Sequence, residues 1–200
     1  MSQAEVFLAG EGDRYHERNR NAELNASVVN AILSIGFRPN AILEIGCGDG
    51  RYLHELYQYY GGRCVGVDPS SDAIAEGKLK YPEIELICTD AKGITDRSSF
   101  DLIVFGFCLY LMDRQDLFYL VYQFDWHLKD GGYLAIHDFD PEYPQVSTYK
   151  HRKGIYSYKM DYPSLWLANP GYRKITKAKT GEGTAITILQ KHGWGSLCES

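Results

Sequence analysis

The sequence predicts a doubly wound α/β fold with a mostly parallel sheet of seven strands and a C-terminal antiparallel hairpin. Short, nearly continuous apolar runs alternate with helical patterns along most of the chain. Two further strand-like stretches, joined by a turn signal, follow near the end of the sequence. The 200 residues, 44% of them hydrophobic, suffice for one domain with a full core. We therefore expect a single domain over residues 1–200.

Five apolar runs, rich in Ile, Val, Leu and Phe, have the length of strands. Because these runs show little polar alternation, they indicate strands that are covered on both faces, as in a parallel sheet. They are residues 41–46, 64–68, 83–90, 101–107 and 133–139.

Helical patterns with start and stop signals separate these runs. Ser70 or Ser71 is a suitable N-cap for one helix, and Asp113 is suitable for another. The predicted helices are residues 21–35, 51–60, 70–80 and 114–128, with a short one within 161–168. The closing strands are predicted at 172–180 and 184–191.

Composition and charge exclude several functional classes. The net charge of −5 argues against a nucleic-acid partner, although residues 141–200 alone carry nine Lys/Arg and four Asp/Glu. Five cysteines without a CxxC pair argue against a disulfide framework, and scattered histidines predict no metal site. No secretory signal is recognisable, and the most apolar run, residues 102–112, is too short to cross a bilayer. We expect a cytoplasmic protein, as a monomer or homodimer.

A glycine-rich loop follows the first strand and predicts a ligand site. The sequence from Glu44 to Gly50 reads EIGCGDG and leads directly into a helix. Ligands of open α/β sheets bind at the carboxyl ends of strands, where glycines allow positive φ and close backbone approach. Asp68 ends the second strand, where a carboxylate can accept hydrogen bonds from both hydroxyls of a ribose.

The residues of this loop distinguish between two cofactor classes. A dinucleotide enzyme needs a third glycine in GxGxxG, and that position is occupied here by the bulky Arg51. Glu44, two positions before the first glycine, suits S-adenosylmethionine (SAM) instead. We therefore expect SAM as the cofactor and S-adenosylhomocysteine (SAH) as its product.

The order of these elements resembles the class I SAM-dependent methyltransferases over residues 41–139. The glycine-rich motif matches residues 43–50, and Asp68 and Asp90 match the acidic residues that follow the second and third strands. The resemblance implies methyltransferase activity and a SAM-binding core at 41–139. The cofactor-binding residues it implies there are Glu44, Gly46, Cys47, Gly48, Asp68, Pro69, Asp90, Ala91, Phe105 and Gly106.

The ends of the chain are expected to select the acceptor. Residues 1–36 are predicted to form a helical lid. Within it, Tyr15 and Arg18 are expected to contact either the cofactor or other residues of the lid. The alternative is a solvated arm that caps a helix. Residues 140–200 are predicted to form an acceptor-side segment and the closing hairpin.

Short patterns at residues 12–19, 155–162 and 167–175 resemble methylases associated with pseudaminic-acid and other surface-sugar biosynthesis. The resemblance implies a small-molecule acceptor, an acidic sugar or nucleotide-sugar. The expected substrate contacts are Tyr110, Lys150, Arg152, Tyr158 and Lys159. The alternatives are an RNA or protein methyltransferase and a non-catalytic SAM-binding protein.

The fifth predicted strand supplies the catalytic candidates, His137 and Asp138. Strand alternation places their side chains on opposite faces of the sheet, so only one is expected to face the methyl group. His137 has the better ordinary pKa for a general base near neutral pH. The alternative role of His137 is to satisfy backbone groups of a loop.

Overall fold

Two β-sheets organise the computed structural model, which describes residues 1–95 and 99–193. The larger sheet has the strand order β3-β2-β1-β4-β5-β9-β8, and the smaller sheet pairs β6 with β7. The strands are β1 Ala41–Ile45, β2 Arg63–Asp68, β3 Glu85–Cys88, β4 Phe100–Gly106, β5 Leu128–Phe139, β6 Gln145–Thr148, β7 Tyr156–Lys159, β8 Tyr172–Gly181 and β9 Thr184–Lys191.

The pairing of the strands confirms the predicted fold class. The strands β1 to β5 are mutually parallel, and β9 runs antiparallel to both of its neighbours, β5 and β8. Strand order reverses at β1, because β2 and β4 lie on its two sides. The carboxyl ends of these strands therefore form a crevice, the usual ligand position in this class of sheet.

Seven α-helices surround the sheet within the described residues. A π-helical turn, Phe7–Glu11, joins the first two, and it contains Gly10 at φ 112°. The helices are α1 Gln3–Val6, α2 Gly12–Asn19, α3 Ala26–Leu33, α4 Arg51–Tyr60, α5 Ser71–Lys80, α6 Leu117–His127 and α7 Pro163–Leu167. None of them combines the length and apolar character that a membrane-spanning helix requires.

Two apolar clusters cover opposite faces of the large sheet. Phe105 of β4 packs with Phe124 of α6 and Trp166 of α7 on one face. The next residue back, Val104, belongs to the cluster that includes Leu53 of α4 on the other face. Burial on both faces explains why the strands read as continuous apolar runs.

The helix predicted at 21–35 begins later than expected, at Ala26. The side chain of Asn25 accepts a hydrogen bond from the Ser27 N–H at 3.1 Å and so caps the helix there. The carbonyls of Arg20 and Ala22 accept hydrogen bonds from Arg51, which holds the preceding residues in an irregular link.

Two further differences concern the second half of the chain. The predicted helix 114–128 starts as a 3₁₀ turn, and α6 proper begins at Leu117. Residues 129–132, which directly follow the predicted helix, lie inside β5 as an irregularity, because Phe100 pairs with Leu128 and Leu102 next pairs with Tyr133. The β6–β7 hairpin was not predicted.

Candidate active site

A cavity of about 580 Å³ lies at the carboxyl ends of the parallel strands, beside the point where strand order reverses. The glycine-rich loop, the segment that follows β4 and the β8–β9 turn contribute to its walls, and the α1–α2 segment adds a further wall. Ten of the predicted cofactor residues line it: Tyr15, Glu44, Gly46, Cys47, Gly48, Asp68, Pro69, Asp90, Ala91 and Gly106.

The glycine-rich loop presents backbone to the cavity. Gly46, Gly48 and Gly50 all have positive φ, at 72°, 56° and 81°, a conformation that side chains disfavour. A Cβ atom on Gly46 would lie 2.5 Å from the Cβ of Cys108. Glycine is therefore required at Gly46 for both its conformation and its packing.

Asp68 is held at the end of β2 by two backbone groups. Its Oδ2 accepts from the Gly48 N–H, and its Oδ1 accepts from the Ser70 N–H, both at 2.9 Å. Burial raises the pKa of Asp68, although these two hydrogen bonds oppose the shift. Asp90 follows β3 at the neighbouring position and accepts from the Lys92 N–H at 3.0 Å. Two carboxyl groups thus line the cavity at the ends of adjacent strands.

Glu44 is a buried carboxyl group beneath the loop, with 2% of its surface exposed. Burial, with the charge of Asp68 nearby, raises the pKa of Glu44 well above its ordinary value. The Oε2 atom has no hydrogen-bond partner among the described residues. A Cβ atom on Gly106 would approach Oε1 of Glu44 to 2.8 Å, so a side chain at the end of β4 would displace the Glu44 carboxyl group.

Helix α2 covers one side of the cavity by docking on α5. Asp13 accepts hydrogen bonds from the Ser70 hydroxyl at 2.8 Å and the Asp72 N–H at 3.0 Å, both at the start of α5. His16 lies 3.1 Å from a carboxylate oxygen of Glu76. Hydrogen bonds, first from a lysine of α5 and then from His16 and an arginine after α2, lower the pKa of Glu76 to about 2.

Gln3 of α1 anchors the other end of the α1–α2 segment, which covers the cavity. Its backbone N–H donates to Asp113 at 2.8 Å, and its side-chain amide donates to the carbonyl of Leu111 at 2.7 Å. Its side-chain oxygen accepts from the N–H of Tyr156 in β7 at 2.6 Å. One buried glutamine thus joins the covering segment to the loop after β4 and to the small hairpin.

Arg51 ties the link after α2 to the glycine-rich loop. Its Nε and Nη2 donate to the two carboxylate oxygens of Asp49 at 2.8 and 2.9 Å. Its Nη1 donates to the Ala22 carbonyl at 2.7 Å, and Nη2 donates to the Arg20 carbonyl at 2.9 Å. Burial would raise the pKa of Asp49, but Arg51 holds it below its ordinary value.

Two predicted cofactor residues lie away from the cavity. Arg18 donates to Glu11 and to the Tyr149 hydroxyl, both at 2.7 Å, and does not line the cavity. The side chain of Phe105 is fully buried in the core. Arg18 therefore joins the α1–α2 segment, which covers the cavity, to Tyr149. The Phe105 ring packs in the core against α6 and α7. Tyr15 does line the cavity, and its hydroxyl lies 3.3 Å from that of Tyr110.

His137 and Asp138 lie on opposite faces of the sheet, as strand alternation predicts. His137 lines the cavity, its Nε2 lies 3.0 Å from the Thr180 hydroxyl, and burial lowers its pKa to about 4. Asp138 does not line the cavity. It accepts hydrogen bonds from the N–H groups of Phe139 and Tyr110, and burial raises its pKa to about 7. His137 alone of the two is in a position to meet a ligand.

Comparison with known proteins agrees with this geometry. Residues 42–132 match a family model described as a methyltransferase domain. The chain has the class I methyltransferase fold. Among solved structures, Burkholderia thailandensis 1,6-didemethyltoxoflavin-N1-methyltransferase with bound SAH has a TM-score of 0.72 and 14% identity, covering 95% of this chain and 87% of that chain. The N-methyltransferase NodS from Bradyrhizobium japonicum has a TM-score of 0.66 and 19% identity, covering 90% and 99% respectively.

Curated relatives match part of this chain in sequence. Ubiquinone biosynthesis O-methyltransferases from Bradyrhizobium sp. (strain ORS 278) and Rhodopseudomonas palustris (strain BisB18) are 34% and 32% identical over 89 residues. The match covers 42% of this chain. It spans about a third of the relatives' own length, at 33%.

The basic residues predicted to bind the acceptor do not line the cavity of the methyltransferase fold. Lys150 and Arg152 are in the exposed loop between β6 and β7. The Lys159 ammonium lies 3.9 Å from the centre of the Phe139 ring, and Tyr158 packs under Arg114. Tyr110, also predicted as a substrate contact, is buried behind Tyr15 and is likewise absent from the walls. The placement of these five residues does not support direct acceptor contacts.

The walls contain several residues that the sequence did not indicate as site residues. They come from the N-cap of α3, from α4, from the residue after β4 and from the ends of β8 and β9, whose positions depend on tertiary packing: Asn25, Tyr52, Phe107, Thr180 and Thr184. A sequence signal existed only for Phe107, because it directly follows Gly106, the glycine that ends β4. Within the described part of the chain, no group of three or more His, Cys, Asp or Glu side chains could hold a metal ion.

Proposed function

We propose that this chain binds SAM in the cavity and transfers its methyl group to a small molecule. The observation that carries the proposal is the carboxylate of Asp68, fixed by the N–H groups of Gly48 and Ser70 at the cavity wall. A carboxylate at the end of β2 suits the two hydroxyls of a ribose. Asp90, at the end of β3, suits the adenine amino group.

The charge of the walls supports a cationic cofactor. SAM carries a net positive charge, whereas a dinucleotide carries a negatively charged pyrophosphate. Among the residues that the structure describes, seven Asp and Glu line the cavity, against two Lys and Arg. The two cations are already paired, Arg51 with Asp49 and Lys92 with Asp116. Glu44, with its unpartnered oxygen beneath the loop, adds acceptor capacity on the same side.

When bound, SAM supplies an electrophilic methyl group on a positively charged sulfur. The contribution of the chain is to align the acceptor with that group and to exclude water, for which the covered cavity is suited. Of the two residues predicted as catalytic, only His137 lies on the wall, and its low pKa keeps the imidazole neutral at pH 7. Asp138 instead holds the backbone of the loop after β4.

A small-molecule acceptor is supported over RNA or protein. The cavity is partly covered by the α1–α2 segment, and its acidic walls would repel a phosphate backbone. The curated relatives are named for ubiquinone biosynthesis, which is also small-molecule chemistry. An acidic sugar has weaker support, because Lys150, Arg152 and Lys159 lie off the walls.

Calorimetric titration with SAM and SAH, with NAD as a control ligand, tests the proposal. We expect both sulfur compounds to bind and NAD not to bind. Asp68→Ala removes a charged hydrogen-bond acceptor, so its affinity for both should fall at least about tenfold. Asp140→Ala, which removes a carboxylate paired with Lys177 away from the cavity, is the matched control and should bind normally.

Either of two results would contradict the proposal. The first is binding of NAD in place of SAM and SAH, and the second is unchanged SAM affinity in the Asp68 variant. Circular dichroism of each variant separates a lost contact from a lost fold. SAM binding without turnover on any metabolite pool would favour a non-catalytic SAM-binding protein.

A further inference from the structure

The identity of the acceptor is constrained by the backbone at Phe107. Its φ of 57° is the one positive value outside glycine in the described residues, and it directly follows β4. Such a conformation is strained for a residue with a side chain and persists only where the surroundings fix it. The Phe107 N–H donates to the carbonyl of His137 at 3.0 Å, which holds the residue in this position.

The strained backbone places an aromatic side chain at the cavity wall. Phe107 lines the cavity, and its ring packs against those of Tyr110, His137 and Phe139 at centroid distances of 5.2, 5.1 and 4.9 Å. The ring is therefore supported from behind by other rings. The Phe107 ring is thus fixed by three neighbouring rings at the end of the cavity nearest β4 and β5.

The polar groups on the adjoining wall are already paired with one another. The Thr180 hydroxyl lies 3.0 Å from His137 Nε2 and 3.1 Å from the Thr184 hydroxyl. The Asn25 amide donates to the Thr180 carbonyl at 2.9 Å, and the Tyr52 hydroxyl accepts from the Asn25 N–H at 2.7 Å. A polyhydroxylated acceptor would find few free partners here. His137 itself also lines this part of the cavity.

From the supported ring, the paired polar wall and the excess of carboxylates, we infer that the acceptor is an uncharged aromatic or heteroaromatic ring. It stacks on Phe107 and presents a single oxygen or nitrogen nucleophile. The inference rests on the proposed methyl transfer. In that step the lone pair of the acceptor bonds to the methyl carbon, displacing the sulfur with its electron pair. The proton of the acceptor passes to His137 or to water.

Ligand binding to the SAH-saturated protein tests this inference, with catechol as the uncharged aromatic probe. The compound 3,4-dihydroxybenzoate has the same ring and hydroxyls with an added carboxylate, and glucuronate represents an acidic sugar. Saturation-transfer NMR should give a dissociation constant for catechol at least about tenfold below those of both anions, since the carboxylates of the walls repel them.

Phe107→Leu removes the ring while keeping an apolar side chain on the same strained backbone. Its catechol affinity should fall about threefold to tenfold, the usual value of an aromatic stacking contact, with less than a twofold change for SAH. Phe118→Leu is the control, because Phe118 is 77% exposed on α6 and should leave both affinities unchanged.

The inference is overturned if either anion binds as tightly as catechol. It is also overturned if catechol fails to bind, or if Phe107→Leu binds it normally. These failures leave the proposed function standing as long as SAH binds in an Asp68-dependent manner. If SAH itself does not bind, the proposed function fails first and this inference falls with it.

Discussion

Replacing Arg51 by alanine should loosen the cover of the cavity as well as destabilise the fold. The guanidinium makes four hydrogen bonds: two to the Asp49 carboxylate and one each to the carbonyls of Arg20 and Ala22. These contacts connect the glycine-rich loop to the link between α2 and α3. The variant loses all of them at once.

The magnitude follows from the burial of the partners. The Asp49 side chain is 3% exposed and that of Arg51 is 22% exposed, so the pair is largely shielded from water. Removing one member of such a pair costs roughly 3–5 kcal/mol. Lys80, whose ammonium lies 3.6 Å from Asp49, remains and offsets part of this loss. We therefore expect a loss of about 3 kcal/mol in the free energy of unfolding.

Urea denaturation measures that loss, and hydrogen exchange shows where the structure opens. Protection should fall most in residues 12–25. Arg51→Lys keeps the charge without the forked geometry and should lose about half as much. Lys177→Ala breaks an exposed ion pair with Asp140 and should change stability by less than about 0.5 kcal/mol. A loss in Arg51→Ala no larger than in this control, or unchanged exchange in 12–25, would refute the reasoning.

The remaining predictions concern packing and proton transfer. Gly77→Ala would stabilise an ordinary helix by about 1 kcal/mol. Here the new Cβ would meet the Asp49 carbonyl and lie 2.5 Å from Cδ1 of Leu86, so urea denaturation should show a loss of about 2 kcal/mol instead; a gain would contradict the packing. His137→Asn should lower turnover at least about a hundredfold with SAM affinity unchanged. With a His137 pKa of about 4, protonation of His137 should cause no decline in the wild-type rate from pH 7 to 5; a decline centred near pH 6.5 that is absent from His137→Asn would contradict the lowered pKa.

The sequence was sufficient to predict the framework of the site because that part of the fold is local and repetitive. Apolar runs identify the strands, and a parallel arrangement brings their carboxyl ends to one edge. Asp68 was assigned to the cavity from its position at a strand end and Asp90 from the resemblance to the class I methyltransferases, and both line the cavity. The positive φ values of Gly46 and Gly48 were likewise expected from a glycine-rich turn.

The features that sequence reasoning missed depend on distant contacts. The start of α3 is set partly by Arg51, which binds carbonyls about thirty residues earlier. The strand β6 is exposed along its whole length, so no apolar alternation marked it. The excess of basic residues in 141–200 did not show whether their side chains would face the cavity. Lys150 and Arg152 are exposed in a loop outside it.

The anchoring of Gln3 constrains the order in which the protein can fold during its synthesis. Gln3 leaves the ribosome before all three residues that bind it, and Tyr156 follows it by 153 positions. At a translation rate of about 5–20 residues per second, that interval is roughly 8 to 30 s. Throughout it, the nascent chain carries α1 and its apolar neighbour Phe7 without their final docking surface. The α1–α2 segment that covers the cavity is thus translated before the strands it covers and completes its docking late, after the parallel strands β1 to β5 have been synthesised.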